Sequence, residues 1–320
     1  MTQPVLVVAG PTASGKSGLA LALAERFGGV VINADSMQVY RELAVLTARP
    51  GPDALARVPH RLYGVLAAET ACSAGRWREL ALGEIAEARA AGRLAIVTGG
   101  SGLYLQALVA GMTPLPEVPR EVREETGALY AKLGAEGFHA ALAARDPLTA
   151  RRLRPRDRQR VMRAWEMLET TGRSLAALQR DLGQGPPADL AFAAILLDPP
   201  RSELYAAIDR RLAAMIAAGA VAEVTALLAL GLEPRLPVMK AVGVPELAAF
   251  LRGEVALAEA VRRAQQASRR LAKRQVTWFR HHRLAPQVLA LTDAPDAQYS
   301  ERFRERIFNF IRQTLLTEIK

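Results

Sequence analysis

Apolar residues come in two rhythms along this chain. Four short runs are largely apolar: VLVVA at 5–9, VVINA at 30–34, LAIVT at 94–98 and AFAAILLD at 191–198. Runs this short, without polar alternation, predict strands buried on both faces of a parallel sheet. Between them the spacing turns helical, as in GLALALAERF after the first run. Strands alternating with helices predict an α/β fold with right-handed crossovers. In such sheets ligands collect beyond the carboxyl ends of the strands. The stretch GPTASGKS (Gly10–Ser17), Asp35 and Ser101 all fall at such ends, so the pattern predicts one cleft that holds all three.

The pattern breaks at about residue 113. MTPLPEVPREVREE is a proline-punctuated exit from the sheet, and charged helical sequence follows to the turn-like GQGPPAD. This predicts a helical insertion domain, 113–190, between the third and fourth runs. The core then comprises 1–112 and 191–283, with further helices over 201–283. Residues 284–320 carry no chemical motif; they predict a strand and a closing helix, FRERIFNFIRQTLL, packed on the core.

Composition narrows the class. No apolar run approaches the ~20 residues of a membrane span, and MTQPVLVVAG does not read as a secretory signal. A soluble, cytoplasmic protein with no membrane partner is expected. The single Cys72 excludes an internal disulfide and a multi-cysteine zinc site. Lys plus Arg total 42 against 32 for Asp plus Glu, a net charge of +10. The excess is clustered. Residues 151–163, RRLRPRDRQRVMR, hold seven arginines and one aspartate. Residues 262–283 hold eight Arg or Lys and no acid. At 100° per residue Arg262, Arg269, Lys273 and Arg280 form one stripe, and Arg263, Arg270 and Arg274 form another. Leu271 and Trp278 mark the apolar side. With no acid partners in the run, the stripes predict binding to a polyanion, RNA or DNA.

The candidate chemistry begins in the loop. GPTASGKS fits the G-x-x-x-x-G-K-[ST] pattern between a strand and a helix, where backbone N–H groups and a helix N-terminus attract phosphate oxygens. Lys16 supplies a charge and Ser17 the usual Mg²⁺ partner. This fits ATP, GTP or any pyrophosphate, so the loop specifies a diphosphate and not a kinase. Asp35 can hold a metal, accept a proton or cap the following turn. Ser36, Gln38 and Tyr40 can read a base edge or lie on the surface. Ser101, in GGSG, can bind an oxyanion or cap a helix.

Longer words carry more information. GPTASGKS, INADSMQVYREL with TARP, PHRL, TGGSGLYLQAL, DRQRVMRAWE with TGRS, RRLAAMIAAGAVAEV and LAKRQVTWFR occur in this order over about nine-tenths of the chain. Together they resemble the tRNA dimethylallyltransferase family. The resemblance implies a P-loop kinase-like core with a helical insertion. It also implies transfer of a dimethylallyl group from dimethylallyl diphosphate to the N6 amine of the adenosine 3′ of a tRNA anticodon, with the diphosphate leaving. It makes Asp35 the general base, with Ser101, a threonine in most of the family, and Arg211 completing the catalytic set. Gly10, Pro11, Thr12, Ala13, Ser14, Gly15, Lys16 and Ser17 would hold the diphosphate, with Mg²⁺ on Ser17. Asp35, Ser36, Met37 and Gln38 would contact the flipped base, and Ser101 would contact the bridging oxygen of the diphosphate and the tRNA. Arg123, Gln159, Arg160, Val161, Met162, Arg163, Lys240, Gly243, Arg270 and Arg274 would contact the rest of the tRNA. A monomer is implied.

Besides Ser101, four positions depart from the family pattern: Leu46 replaces a glycine, Val244 and Pro245 replace an aromatic and a basic residue, and Arg156 replaces an asparagine. The residues alone leave other readings open: a small-molecule or nucleoside kinase, a prenyltransferase acting on free adenine nucleotides, and an RNA-binding module without catalysis.

Overall fold

Six strands run parallel in one sheet: β1 (Gln3–Ala9), β2 (Val30–Asn33), β3 (His60–Arg61), β4 (Ala95–Gly99), β5 (Leu190–Leu197) and β6 (Gln287–Leu291). The computed structural model describes residues 2–183, 185–293 and 301–316, and the strands and helices are those found among them. The sheet order is β3-β2-β4-β1-β5-β6. The α/β class read from the apolar runs is the observed one. Central β1 pairs with β4 on one side, Val7 against Val97, and with β5 on the other, Val7 against Ala194. Its five residues Val5–Ala9 are fully buried, which is why they carry no polar alternation.

The helices are α1 (Lys16–Phe27), α2 (Pro52–Arg57), α3 (Ala74–Ala90), α4 (Gly102–Val109), α5 (Arg120–Arg145, broken at Gly134), α6 (Pro147–Ala150), α7 (Arg158–Thr171), α8 (Leu175–Leu182), α9 (Arg201–Ala217), α10 (Ala220–Ala229), α11 (Val244–Leu251), α12 (Leu257–His281) and α13 (Glu301–Ile311). No single described helix is long and apolar enough to cross a membrane.

The chain divides into two compact units, Met1–Ala110 with Pro186–Lys320, and Gly111–Gly185. The first contains the whole sheet. One of its apolar clusters joins Leu19 and Leu23 of α1 to Ile195 of β5 and to Phe303, Ile307 and Ile311 of α13. Strand β6 pairs with β5, Ile195 against Leu289. The other parts of the expected tail, 294–300 and 317–320, lie outside the described residues, as does Gln184 of the expected turn. The second unit has its own core, built on Phe138, Leu142, Val161, Ala164 and Met167. Asp157 caps α7 by accepting from Arg160 N, and Ser174 caps α8 by accepting from Ala177 N.

Candidate active site

Strands β2, β4 and β1 are neighbours, so the loops at their carboxyl ends are neighbours too. After β1 comes the glycine-rich loop, after β2 comes Asp35, and after β4 comes the turn that carries Ser101. A cleft of about 390 Å³ opens over them. Of the expected site residues, it is lined by Thr12, Ala13, Asp35, Ser36, Met37, Ser101, Arg211, Lys240 and Arg274; Gly10, Pro11, Ser14, Gly15, Lys16 and Ser17 of the loop do not line it. Helix α9 supplies the opposite wall, with Ile208, Leu212 and Met215 beside Arg211.

Asp35 is held from both sides of its backbone. Its N–H donates to Asn33 Oδ1 at 2.8 Å, and Asn33 Nδ2 donates to its carbonyl at 3.0 Å. Asn33 is fully buried, and Trp77 Nε1 donates to its carbonyl at 2.9 Å. The carboxylate oxygen Oδ1 accepts from Met37 N at 2.9 Å. No described residue donates to Oδ2. The Asp35 side chain therefore does form the local turn, and one oxygen remains for other chemistry. Ser101 ties its turn to this segment: Ser36 N donates to Ser101 Oγ at 2.9 Å, and the two hydroxyls lie 3.2 Å apart.

Two cations feel the charge of this carboxylate. Burial pushes the Lys16 ammonium down to about 8; the Asp35 charge opposes that shift and the Arg211 charge adds to it. Arg211 is lowered by burial, and Asp35 again opposes the shift. The three groups thus share one electric field, with two positive charges against one negative. Such a surplus favours an anion. Arg211 reaches Thr12 Oγ1 at 3.4 Å and the Thr47 carbonyl at 3.1 Å. Its neighbour Arg210 is exposed. Burial, and after it the Asp35 charge, pushes the Tyr63 hydroxyl well above its ordinary range, so it stays protonated.

The loop amides are not all available. Thr12 N donates to Gln275 Oε1 at 2.8 Å and Ser14 N to Pro11 O at 3.3 Å, so the whole Gly10–Ser17 backbone does not point at one ligand. Lys16 Nζ donates to Pro11 O at 3.1 Å. Ser17 is exposed in the first turn of α1. Gln38 differs from its expected role at a base edge. It is buried, and its Nε2 donates to Thr47 O and Ala48 O at 2.9 and 3.2 Å, so its amide donor is spent on the protein.

The segment 44–46 is fixed by a residue the sequence pattern did not mark. One Glu223 carboxylate, from α10, accepts from Ala44 N, Val45 N and Leu46 N at 2.6, 2.7 and 2.9 Å. Leu46 lines the cleft and packs at Gly243, where an added Cβ would lie 2.8 Å from its Cδ2. The Gly243 φ of 100° is one that L side chains rarely adopt. Val244 is buried. Gly243 contributes packing here and does not line the cleft.

The basic helix α12 needs one correction. The acid partners missing from 262–283 come from outside that window. Glu259, in the first turn, accepts from Arg262 and Arg263 at 2.8 and 2.7 Å, and these bonds hold its carboxyl well below the usual carboxylate range. Asp209 of α9 pairs with Arg269 at 2.6 Å, and Asp198 lies 3.7 Å from Arg280. Among the described residues no carboxylate pairs with Arg270, Lys273 or Arg274, all exposed. The unpaired cationic face is therefore narrower than the two stripes.

Arg123, Gln159, Arg160, Val161, Met162 and Arg163 belong to the second unit. Arg123, Gln159 and Arg160 are exposed there; Arg160 pairs with Asp157 at 3.6 Å and Arg163 with Glu166 at 3.5 Å. The Val161 side chain is fully buried in that unit's core, so it cannot present itself to a partner.

A glycine-rich loop between strand and helix, with a carboxylate and an arginine over the next strand ends, defines an α/β protein of the P-loop class. The family model described as IPP transferase matches residues 38–282, and the chain belongs to that family. It is 56% identical over 280 residues to a tRNA dimethylallyltransferase of Rhodospirillum centenum, covering 88% of this chain and 89% of that one. It is 54% identical to the protein of that name from Rhodospirillum rubrum, covering 98% and 96%. A crystal structure of a tRNA isopentenylpyrophosphate transferase from Bacillus halodurans superimposes with a TM-score of 0.70 at 31% identity, covering 99% and 98%. A eukaryotic dimethylallyltransferase acting on tRNA shares the fold, with a TM-score of 0.81 at 24% identity over 98% of this chain and 80% of that one.

Proposed function

We propose that this chain transfers a dimethylallyl group from dimethylallyl diphosphate to the N6 amine of the adenosine 3′ of the anticodon in tRNA. The observation that carries the proposal is the shared field of Asp35, Lys16 and Arg211 in a chain of this family. A kinase needs the same loop. A carboxylate with one oxygen pinned and the other without a protein donor is what an amine nucleophile needs.

The amine's lone pair is delocalised into the purine, so it attacks weakly while it keeps its proton. Asp35 Oδ2 takes that proton as the N6–carbon bond forms. Such assistance is typically worth ~10²–10⁴ in rate. The allylic carbon–oxygen bond breaks with its electrons going to the diphosphate. Lys16 and Arg211 stabilise the charge developing on that oxygen, and fixed donors in a partly dry site do this without reorganising. Ser101 holds Ser36 beside Asp35 and offers its hydroxyl at the same rim.

Mg²⁺ fits this donor set in one way. No described group of three or more His, Cys, Asp or Glu residues could hold a metal, and Mg²⁺ commonly takes one or two protein ligands with substrate phosphates and water. Ser17 Oγ, together with the diphosphate, would hold it. The ion would neutralise phosphate charge.

The tRNA would lie along Arg270, Lys273 and Arg274, reaching Lys240 at the cleft, and would also meet the exposed Arg123, Gln159 and Arg160. We place the enzyme in the cytoplasm, as a monomer without a membrane partner. The test uses labelled dimethylallyl diphosphate with bulk tRNA or with AMP. Label in tRNA and not in AMP is the expected result. Label in AMP favours the free-nucleotide enzyme, and ATP hydrolysis without transfer favours a kinase.

A further inference from the structure

Helix α12 does more than carry charge. Gln275, 9% exposed, points from it into the gap between two of the strand-end loops. Its Oε1 accepts from Thr12 N at 2.8 Å, and its Nε2 donates to Gly100 O at 2.9 Å. One carboxamide thus joins the phosphate loop after β1 to the turn after β4. The fit is close. A Cβ on Gly100 would come within 2.3 Å of Gln275 Nε2, and one on Gly102 within 2.2 Å of the Trp278 ring. The glycines of GGSG let α12 settle on that turn.

We propose that Gln275 is a positioning residue for the transfer reaction, setting the phosphate loop against the Ser101 turn; the proposal rests on the function given above. Ser101 holds the Asp35–Ser36 segment, while Lys16 and the loop amides hold the leaving group. Attack requires the two halves to keep one spacing, and a 1 Å misplacement can cost on the order of 10²-fold in rate. Gln275 joins them by side-chain bonds, and both it and the preceding Arg274 line the cleft. The bridge needs one acceptor and one donor on a rigid plane, which an amide supplies. Glutamate keeps the acceptor for Thr12 and sets a charge against the Gly100 carbonyl. Methionine supplies neither strong bond.

The test compares Gln275→Glu and Gln275→Met with wild type by kcat for tRNA, affinity for dimethylallyl diphosphate without tRNA, and melting temperature. Gln275→Glu is expected to lower kcat per folded molecule by roughly 10–100-fold, with diphosphate affinity within a few-fold. Gln275→Met is expected to lose at least as much kcat and to weaken the diphosphate as well. Unchanged kcat per folded molecule in both, with only a lowered melting temperature, would overturn the proposal. Should Gln275→Met not fold, Gly100→Ala displaces the same amide from the other side and is expected to reproduce the loss; a normal kcat there overturns it equally. Hydrogen exchange of wild type gives a reading independent of the reaction. The Thr12 amide is expected to exchange more slowly than that of Ala13, and equal rates would overturn the bridge. A wild-type protein that transfers nothing to tRNA, with Thr12 protected, would instead remove the proposed function.

Discussion

At the scale of single residues, the structure decides between neighbours that the sequence presents together. Arg210 and Arg211 stand side by side in DRRLAAM. Leu204, Ile208, Leu212 and Met215 mark the buried face of α9, and Arg211 sits three residues after Ile208, on the edge of that face. Glu223 was not legible in the sequence: its three backbone partners lie 177 to 179 residues away, and nothing in AVAEV marks it. Asn33 left a faint trace as a polar residue inside an apolar strand. The depressed Lys16 ammonium makes a prediction at this scale. Below about pH 8 free Lys16 is charged and the diphosphate is expected to bind; above it, affinity is expected to fall about tenfold per unit as the proton is lost. A bound diphosphate raises Lys16 again, so binding near pH 8 takes up a proton. Calorimetry in buffers of different ionisation heat measures that uptake. Affinity flat to pH 9.5 with no proton uptake would show that Lys16 does not hold the diphosphate.

At the scale of elements, α12 shows what a charge count misses. Periodicity places its cations correctly on stripes, but the carboxylates that answer them arrive from α9, from the end of β5 and from the first turn of the same helix. A window along one segment cannot see partners from other elements. The correction sharpens the expectation for tRNA. Reversing Arg270 and Arg274 together is expected to weaken binding and to lower the salt slope by about one unit per lost phosphate contact. Reversing Arg262, already paired with Glu259, should change the slope less. Equal effects at the two sites would mean that α12 offers only general positive charge.

At the scale of the molecule, four apolar runs were enough for a parallel α/β sheet, because both faces of its central strands are covered and no polar alternation interrupts them. Strand β3, two residues long at the sheet edge, is too short to leave such a signal. The order β3-β2-β4-β1-β5-β6 is not written in any local pattern, yet it is what makes the loops after β1, β2 and β4 neighbours. A cleft at Asp35 and Ser101 was foreseen from the rule that ligands sit at the strands' carboxyl ends, though only Thr12 and Ala13 of the loop line it; its wall from α9 and its brace from α12 were not, since both are long-range packing. Transfer depends on that one cleft joining a diphosphate cradle to a proton acceptor. The most direct test is Asp35→Asn, read by transfer of label to tRNA and, separately, by diphosphate affinity. Loss of transfer by ~10²-fold or more, with affinity kept within a few-fold, is the predicted result. Transfer at the wild-type rate would contradict the account.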